Sequence, residues 1–517
     1  MKKKFGVHML LLGLACLALA ALPATAGAVP KKPKLVVAIV IDQFRYDYLT
    51  RFESEYTGGF HRLLTQGAVF SNANYEHFPT VTAIGHSTFL TGAIPALSGI
   101  VGNDWYDRTI GKSVTSVSDP AERILGGAGE GGASPRRLLV STVGDELKIA
   151  DRGKSRVIGV SLKDRAAILP SGHMADGAYW FDSKSGHFVS SSYYFSDLPA
   201  WVKDFNGGHP ADKYRGRTWL GHKLADEASD ALYGKLAPTP FGNELVEAFA
   251  ERALSAEQLG RHEFPDILTV SFSSNDYVGH AYGPDSPEAH DISLQTDRLF
   301  DKFFHYLDSQ VGLQNVLIVM TADHGAAPVP EVNVARKMPG GRLPARFITD
   351  PVQAALTAKY GEGKWIVSPS EHSLYFNLDL IRERKLDRGE VERTAAAAIL
   401  QIPHVFRVYT REQLLTGMAM ADQVGRRVAN GYYASRGADI YILMEPYWLP
   451  GKSGTTHGTA FSYDAHVPVI FMGSGIRAGR YFGKAAPNDI APTLAAILSV
   501  ETPSGSVGRV LDEMFAD

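Results

Sequence analysis

LVVAIVID, residues 35–42, is a run of apolar, mostly β-branched residues that ends on an aspartate. β-Branched side chains favour extended backbone, and an unbroken apolar run with no polar face reads as a strand covered on both sides, as in a parallel sheet flanked by helices. Three other runs share this texture: Arg156 to Leu162, Ile267 to Phe272 and Val316 to Thr321. Helical patterns over Gly59 to Gln66, Arg137 to Ile149 and Ala289 to Ser309 separate them, and a strand at Val467 to Met472 precedes a last helix at Ile490 to Val500. That alternation predicts an α/β fold with a central, mostly parallel sheet and helices on both faces. Each of the four runs is followed, at once or within four residues, by charged groups: Asp42, then Lys163 and Arg165, then Asp276, then Asp323 and His324. The carboxyl ends of parallel strands share one edge of a sheet, where ligands bind, so segments far apart in sequence point to one place.

The chain has 517 residues, 45% apolar and 21% charged, enough for a large core and typical of a globular enzyme. Lys2, Lys3 and Lys4, the apolar run from Met9 to Pro23 and the small residues Ala24-Thr25-Ala26 have the layout of a secretory signal peptide. Cleavage near Ala26 is expected, giving a periplasmic or secreted protein with no membrane span in the mature chain. Cys16 lies inside the apolar run after Gly13-Leu14-Ala15, a poor match to a lipidation signal. It is the only cysteine and would leave with the signal, so any metal must rest on His, Asp and Glu. Losing three lysines and no acids moves the formal charge from −3 to about −6, the wrong sign for a nucleic-acid binder. Residues 27–517 read as a single α/β domain. Two stretches of different texture read as insertions or a cap: about 170–240, where Gly177 to Tyr194 alternates like a hairpin, and about 326–448.

In SSNDYVGHAYGPDS, residues 273–286, Asp276 and His280 stand four apart, so one helical turn can aim both at one cation. VLIVMTADHGAAP, residues 316–328, sets Asp323 and His324 side by side at a strand end, although an exposed strand-end turn has the same pattern. Asp42 could equally be a turn or capping residue. His457 lies between glycines in SGTTHGTAFSYDAHVP, residues 453–468, with His466 as a competitor. In HFPTVTAIGHSTFLTG, residues 77–92, Thr80 and Thr82 bracket Val81 just before a helical pattern. A hydroxyl there gains from the positive end of a helix, and coordination to a divalent ion would stabilise its alkoxide. SLKDR, residues 161–165, places Lys163 and Arg165 two apart and on one side of an extended segment; a solvated loop is the plain alternative.

Taken in order, VIDQFRYDYL, PTVTAIGHSTFLTG with GIVGNDWYD, SLKDRAAI, NDYVGHAYGPDS, TADHG and THGTAFSYDAHVPV resemble the alkaline phosphatase superfamily from about Lys34 to the C-terminus. The nearest resemblance is to its threonine-nucleophile, di-zinc alkaline phosphatases, relatives of the nucleotide pyrophosphatase/phosphodiesterases. The resemblance implies one zinc held by Asp276, His280 and His457, and a second held by Asp42, Asp323 and His324 that also binds the nucleophile. It selects Thr82 over Thr80, because Asn103 follows Thr82 by 21 positions. It implies that Asn103, Lys163 and Arg165 grip the phosphoryl oxygens, a Lys-x-Arg pair that diesterase relatives typically lack. The expectation is therefore a metal-dependent, alkaline-pH hydrolase of small-molecule phosphate monoesters, monomeric and working through a phosphothreonine. A type I phosphodiesterase or nucleotide pyrophosphatase on the same scaffold is the alternative. An all-N/O ligand set suits zinc, with Mn, Co or Fe also compatible.

Overall fold

The computed structural model describes residues 32–516 except 128, 130 and 371. The expected signal peptide and Cys16 lie outside these residues. Ten strands form the central sheet: β1 (Leu35–Ile41), β2 (Ala68–Phe70), β3 (Ile124–Leu125), β4 (Val157–Ser161), β5 (Gly177–Asp182), β6 (His187–Ser191), β7 (Asp266–Phe272), β8 (Val316–Thr321), β9 (Val469–Gly473) and β10 (Gly479–Tyr481). Their spatial order is β10-β2-β9-β8-β1-β7-β4-β5-β6-β3. The middle of the sheet, from β8 through β1, β7 and β4 to β5, is parallel throughout.

Every residue of β1 is buried, as its unbroken apolar run requires. Its alternate side chains point to opposite faces. Val37, Ile39 and Ile41 join the core under helices α1 (Gly59–Gln66), α5 (Pro240–Ala256) and α7 (Pro287–Val311), which contribute Phe60, Phe249 and Phe300. Val36, Ala38 and Val40 join the opposite core under α2 (Thr82–Thr91), α3 (Val143–Asp151) and α8 (Ile490–Leu498), with Phe89, Leu147 and Leu494. Two more helices follow strands directly: α4 (Asp164–Ser171) after β4 and α6 (Ser274–Tyr282) after β7.

The expected helix at Arg137 to Ile149 starts only at Val143. Thr142 caps it there: its side chain accepts the Asp145 N–H, while the Asp145 side chain accepts the Thr142 N–H. The last apolar strand, β9, enters the sheet beside β8 but antiparallel to it. Within the 170–240 stretch, β5 and β6 do form a hairpin, but β5 pairs with β4 and extends the central sheet. Within 326–448, Ile366–Pro369, Ser373–Phe376 and Val405–Thr410 build a four-stranded antiparallel sheet with Ile440–Met444. It has its own core around Trp365, Leu374, Val391 and Ile442.

Candidate active site

The carboxyl ends of β1, β4, β7 and β8 lie in register, because Val40 is level with both Ser271 and Thr321, and Ser161 pairs with Ser271. The residues that follow therefore meet. Asp42 continues β1, its N–H donating to the Phe272 carbonyl at 3.1 Å. Asp276 sits in the first turn of α6 and His280 one turn on, with His280 Nε2 3.1 Å from Asp276 Oδ1. His457 Nε2 comes within 3.8 Å of the same oxygen. His324 Nε2 lies 3.5 Å from Asp42 Oδ1 and 3.4 Å from Asp323 Oδ2. The His324 and His457 rings stack at 3.5 Å, so the two groups form one continuous cluster.

Each imidazole is held by its other nitrogen. Nδ1 of His280, His324 and His457 bonds the carbonyl of Thr455, Gly325 and Thr80 respectively, at 2.8–2.9 Å. A carbonyl only accepts, so in the neutral ring the proton is on Nδ1 and the lone pair of Nε2 faces the carboxylates. This is the outer-shell arrangement that orients metal-binding histidines. Burial holds His324 down at about 4. Burial, with His324 and His280 beside it, keeps His457 well below the ordinary imidazole value.

The carboxylates are crowded. Burial, reinforced by Asp276 and Asp323, pushes Asp42 up to about 7. Burial acts on Asp276 in the same direction, but Lys163 and His280 overcome it and hold Asp276 well below the usual carboxylate range. The same contact with Asp276 outweighs burial at His280 and lifts it to about 9. The two aspartates diverge because Asp276 has Lys163, the cationic His280 and His457 beside it, whereas Asp42 has Lys163 on one oxygen, only the neutral His324 near the other, and two further carboxylates close by. Its other oxygen, Asp42 Oδ1, is buried without a hydrogen-bond partner, as are Asp323 Oδ2 and His324 Nε2. Orphaned acceptors this deep are costly unless something cationic meets them. Two ligands about 2.0 Å from a tetrahedral zinc stand roughly 3.3 Å apart, close to the spacings around His324. The donor set therefore fits two divalent cations. Geometrically, Asp276, His280 and His457 group together, and Asp276 also reaches the group of Asp42 and His324.

The other expected residues divide. Thr82 opens α2, and its hydroxyl has no hydrogen bond among the described residues. Thr80 is buried and donates its hydroxyl to the Thr459 carbonyl at 2.8 Å, tying it to the loop that carries His457. The first turn of α2 lies against Asp323: a Cβ on Gly85 would meet the Asp323 carbonyl at 2.3 Å, so only glycine permits this approach. Asn103 Oδ1 accepts the Ala83 N–H at 2.8 Å, which leaves its NH2 group for a ligand. Lys163 is bonded to Asp42 at 2.5 Å and Asp276 at 2.6 Å, so in this structure it neutralises the carboxylates. Arg165 is the second residue of α4, with its guanidinium 3.7 Å from Asp164. His466 lies outside the cluster, stacked on Tyr46 and bonded to the Ser71 carbonyl.

Three supporting residues had no place in the sequence reading. Gln43, in the left-handed region at φ 59°, donates its N–H to Asp323 at 3.0 Å and its side-chain amide to Asp276 at 2.7 Å, linking the two groups. Gly279 makes room for it, since a Cβ there would lie 1.9 Å from Gln43 Oε1. His86 bonds the Thr82 carbonyl at 2.9 Å and approaches Asp323 at 3.3 Å; its spacing of four from Thr82 on one helix was the available signal. Buried Asp464 accepts both the N–H and the hydroxyl of Thr459, bracing the His457 loop.

A mixed α/β sheet that gathers metal-binding Asp and His donors at its strand ends, beside a threonine on a helix N-terminus, defines a hydrolase of the alkaline phosphatase superfamily. The family described as type I phosphodiesterase / nucleotide pyrophosphatase matches residues 36–464, and the chain belongs to it. The chain is 38% identical to alkaline phosphatase PhoV of Synechococcus elongatus, over 94% of this chain and 93% of that protein. It is 39% identical to alkaline phosphatase PafA of Elizabethkingia meningoseptica, over 95% of each. The crystal structure of wild-type PafA superposes with a TM-score of 0.89 at 37% identity, covering 95% of this chain and all of the other.

Proposed function

We propose that this protein is an alkaline phosphatase that hydrolyses phosphate monoesters with Thr82 as nucleophile. The observation that carries the reading is the set of orphaned buried atoms, Asp42 Oδ1, Asp323 Oδ2 and His324 Nε2, with Asp323 packed against the helix whose first residue is Thr82. Asp276, His280 and His457 would hold one cation and Asp42, Asp323 and His324 the second, with zinc suiting the donors. Such ions supply Lewis acidity and lower the pKa of a bound hydroxyl or water.

The chain's own groups do the rest. Thr82 Oγ1, free of other bonds and at the positive end of α2, attacks phosphorus. The ester P–O bond breaks, the alcohol departs, and the phosphoryl group stays on Thr82 until water releases it. The Asn103 amide, its oxygen pinned by Ala83, donates to a non-bridging oxygen. Lys163 and Arg165 neutralise charge that spreads over the equatorial oxygens. With Asp42 and Asp276 engaged in holding cations, the Lys163 ammonium would be available to the phosphoryl group. The rate rises toward alkaline pH as the attacking oxygens deprotonate.

The family description leaves diester hydrolysis as the second reading. Lys163 and Arg165 favour monoesters, which carry one more negative charge than diesters. Aryl phosphate and aryl phosphodiester hydrolysis separate the two: K163A with R165A should damage the first far more, and equal losses would defeat the assignment. Periplasmic or secreted placement after cleavage near Ala26 and a monomeric state complete the reading; among the described residues no helix is long and apolar enough to cross a membrane. The main test is metal analysis of wild type and Thr82→Ala. Two zinc equivalents retained with activity lost is the expected result, whereas an active Thr82→Ala enzyme would refute the nucleophile.

A further inference from the structure

The cleft over the site has a composition that bears on which monoesters it takes. It holds about 370 Å³, with Asn103, His280 and His457 in its floor. The phosphoryl half of an ester belongs at that floor, so the alcohol half must extend along the walls, where Ser368, Ser373 and Tyr375 of the accessory sheet stand opposite Asp104. No lysine or arginine is among the described residues that line the cleft. Arg436, which lies over the Trp105 ring at 5.1 Å, is bonded to the carbonyls of Gly99 and Arg137. Asp104 is exposed, opens the strand that begins directly after Asn103, and has no ion pair among the described residues. A leaving group entering here thus meets serine hydroxyls, the rings of Trp105, Tyr375 and Tyr441, the His372 imidazole and the Asp104 carboxylate, which has no ion pair among the described residues.

Resting on the monoesterase reading, we propose that the cleft selects monoesters whose leaving group is neutral or cationic and disfavours those whose leaving group carries a second anion, with Asp104 setting the discrimination. A carboxylate or second phosphate in the leaving group finds no lysine or arginine among the described wall residues and is repelled by Asp104. An ammonium is attracted.

The test uses three small esters of similar size: 2-aminoethyl, 2-hydroxyethyl and carboxymethyl phosphate. Their intrinsic reactivities differ, so the readout is how each variant changes the ratio of kcat/KM values measured on the same preparation. Asp104→Asn should raise the carboxymethyl-to-hydroxyethyl ratio about threefold and Asp104→Lys about tenfold, while the aminoethyl-to-hydroxyethyl ratio falls. Because Asp104 is exposed, both shifts should shrink as ionic strength rises. Hydrolysis of all three esters with ratios unmoved in both variants overturns this inference and leaves the monoesterase reading standing. Failure of the zinc-loaded wild type to hydrolyse any of them overturns both.

Discussion

Two buried charge clusters in this molecule are built on opposite terms. In the accessory sheet, Asp439 is fully buried and both its oxygens are bonded: one to Arg388, the other to Arg108 at 2.8 Å and to the Phe376 N–H at 2.7 Å. Glu392 adds a second acid 3.1 Å from Arg388, so two carboxylates face two guanidiniums. At the ends of the central strands, Asp42, Asp276 and Asp323 are equally buried but share one ammonium, Lys163, which touches only the first two. There the surplus is negative and acceptors are left bare. A cluster whose acceptors are all met by its own cations and N–H groups holds a fold together, whereas one that leaves acceptors unmet is waiting for cations.

Matched substitutions make this contrast breakable. Asp276→Asn should lower kcat/KM by more than the about 100-fold typical of losing an outer-shell partner of a metal, with lower zinc content by elemental analysis. Asp439→Asn should instead cost about 3 kcal/mol of stability in denaturant titration, by leaving two partly buried guanidiniums short of charge, while its folded fraction keeps zinc and activity. If Asp439→Asn lost zinc as Asp276→Asn does, the separation of roles would be wrong. Lys163→Met is next in size. In chelator it should destabilise by about 3 kcal/mol, because Asp42 and Asp276 then face each other without the shared ammonium, and only Asp276 keeps a cationic partner, His280. With zinc bound the same substitution should cost less than half of that. Equal losses with and without zinc would mean that the ammonium and the cations do not serve the same carboxylates.

Much of the active cluster was readable because of how parallel sheets work. Their middle strands are covered on both faces, so LVVAIVI and VLIVMT stand out as continuous apolar runs, and the residues hung on their carboxyl ends share an edge. Asp276 and His280 were readable through their spacing of four on α6. What stayed hidden depends on partners the local pattern does not carry. A short apolar strand such as β9 looks the same in either direction, and its antiparallel entry is decided by the loop that delivers His457. The alternation of β5 and β6 correctly suggested a hairpin, yet nothing in it shows that β5 would pair with β4. The family resemblance makes Lys163 a substrate contact, where its place after a strand alone also allowed a solvated loop. Where buried carboxylates lack other cations, however, the strongest available interaction draws its ammonium onto Asp42 and Asp276. Gln43 left no trace, because a left-handed glutamine that bridges Asp323 and Asp276 has no spacing signature.

The smallest effect tests how closed the accessory cluster is. Glu392 is its least satisfied member: burial and then Asp439 push it from the ordinary glutamate value up to about 7, against the pull of Arg388. A carboxyl whose folded pKa is raised keeps its proton in the folded chain over a range where the unfolded chain has already lost it. Below about 4.5 both states are protonated and the group contributes nothing. Between about 4.5 and 7 the folded state binds more protons than the unfolded, so unfolding free energy falls as pH rises, and above 7 the penalty is complete. Glu392→Gln removes the titration, so the stability of this variant relative to wild type should climb across that window. Residual solvent screening and the lost contact with Arg388 leave a net gain of about 1 kcal/mol. Denaturant melts at pH 5 and pH 8 read it directly. A difference that stays flat with pH would show Glu392 to be as well paired as Asp439, and the accessory cluster to be closed at every member.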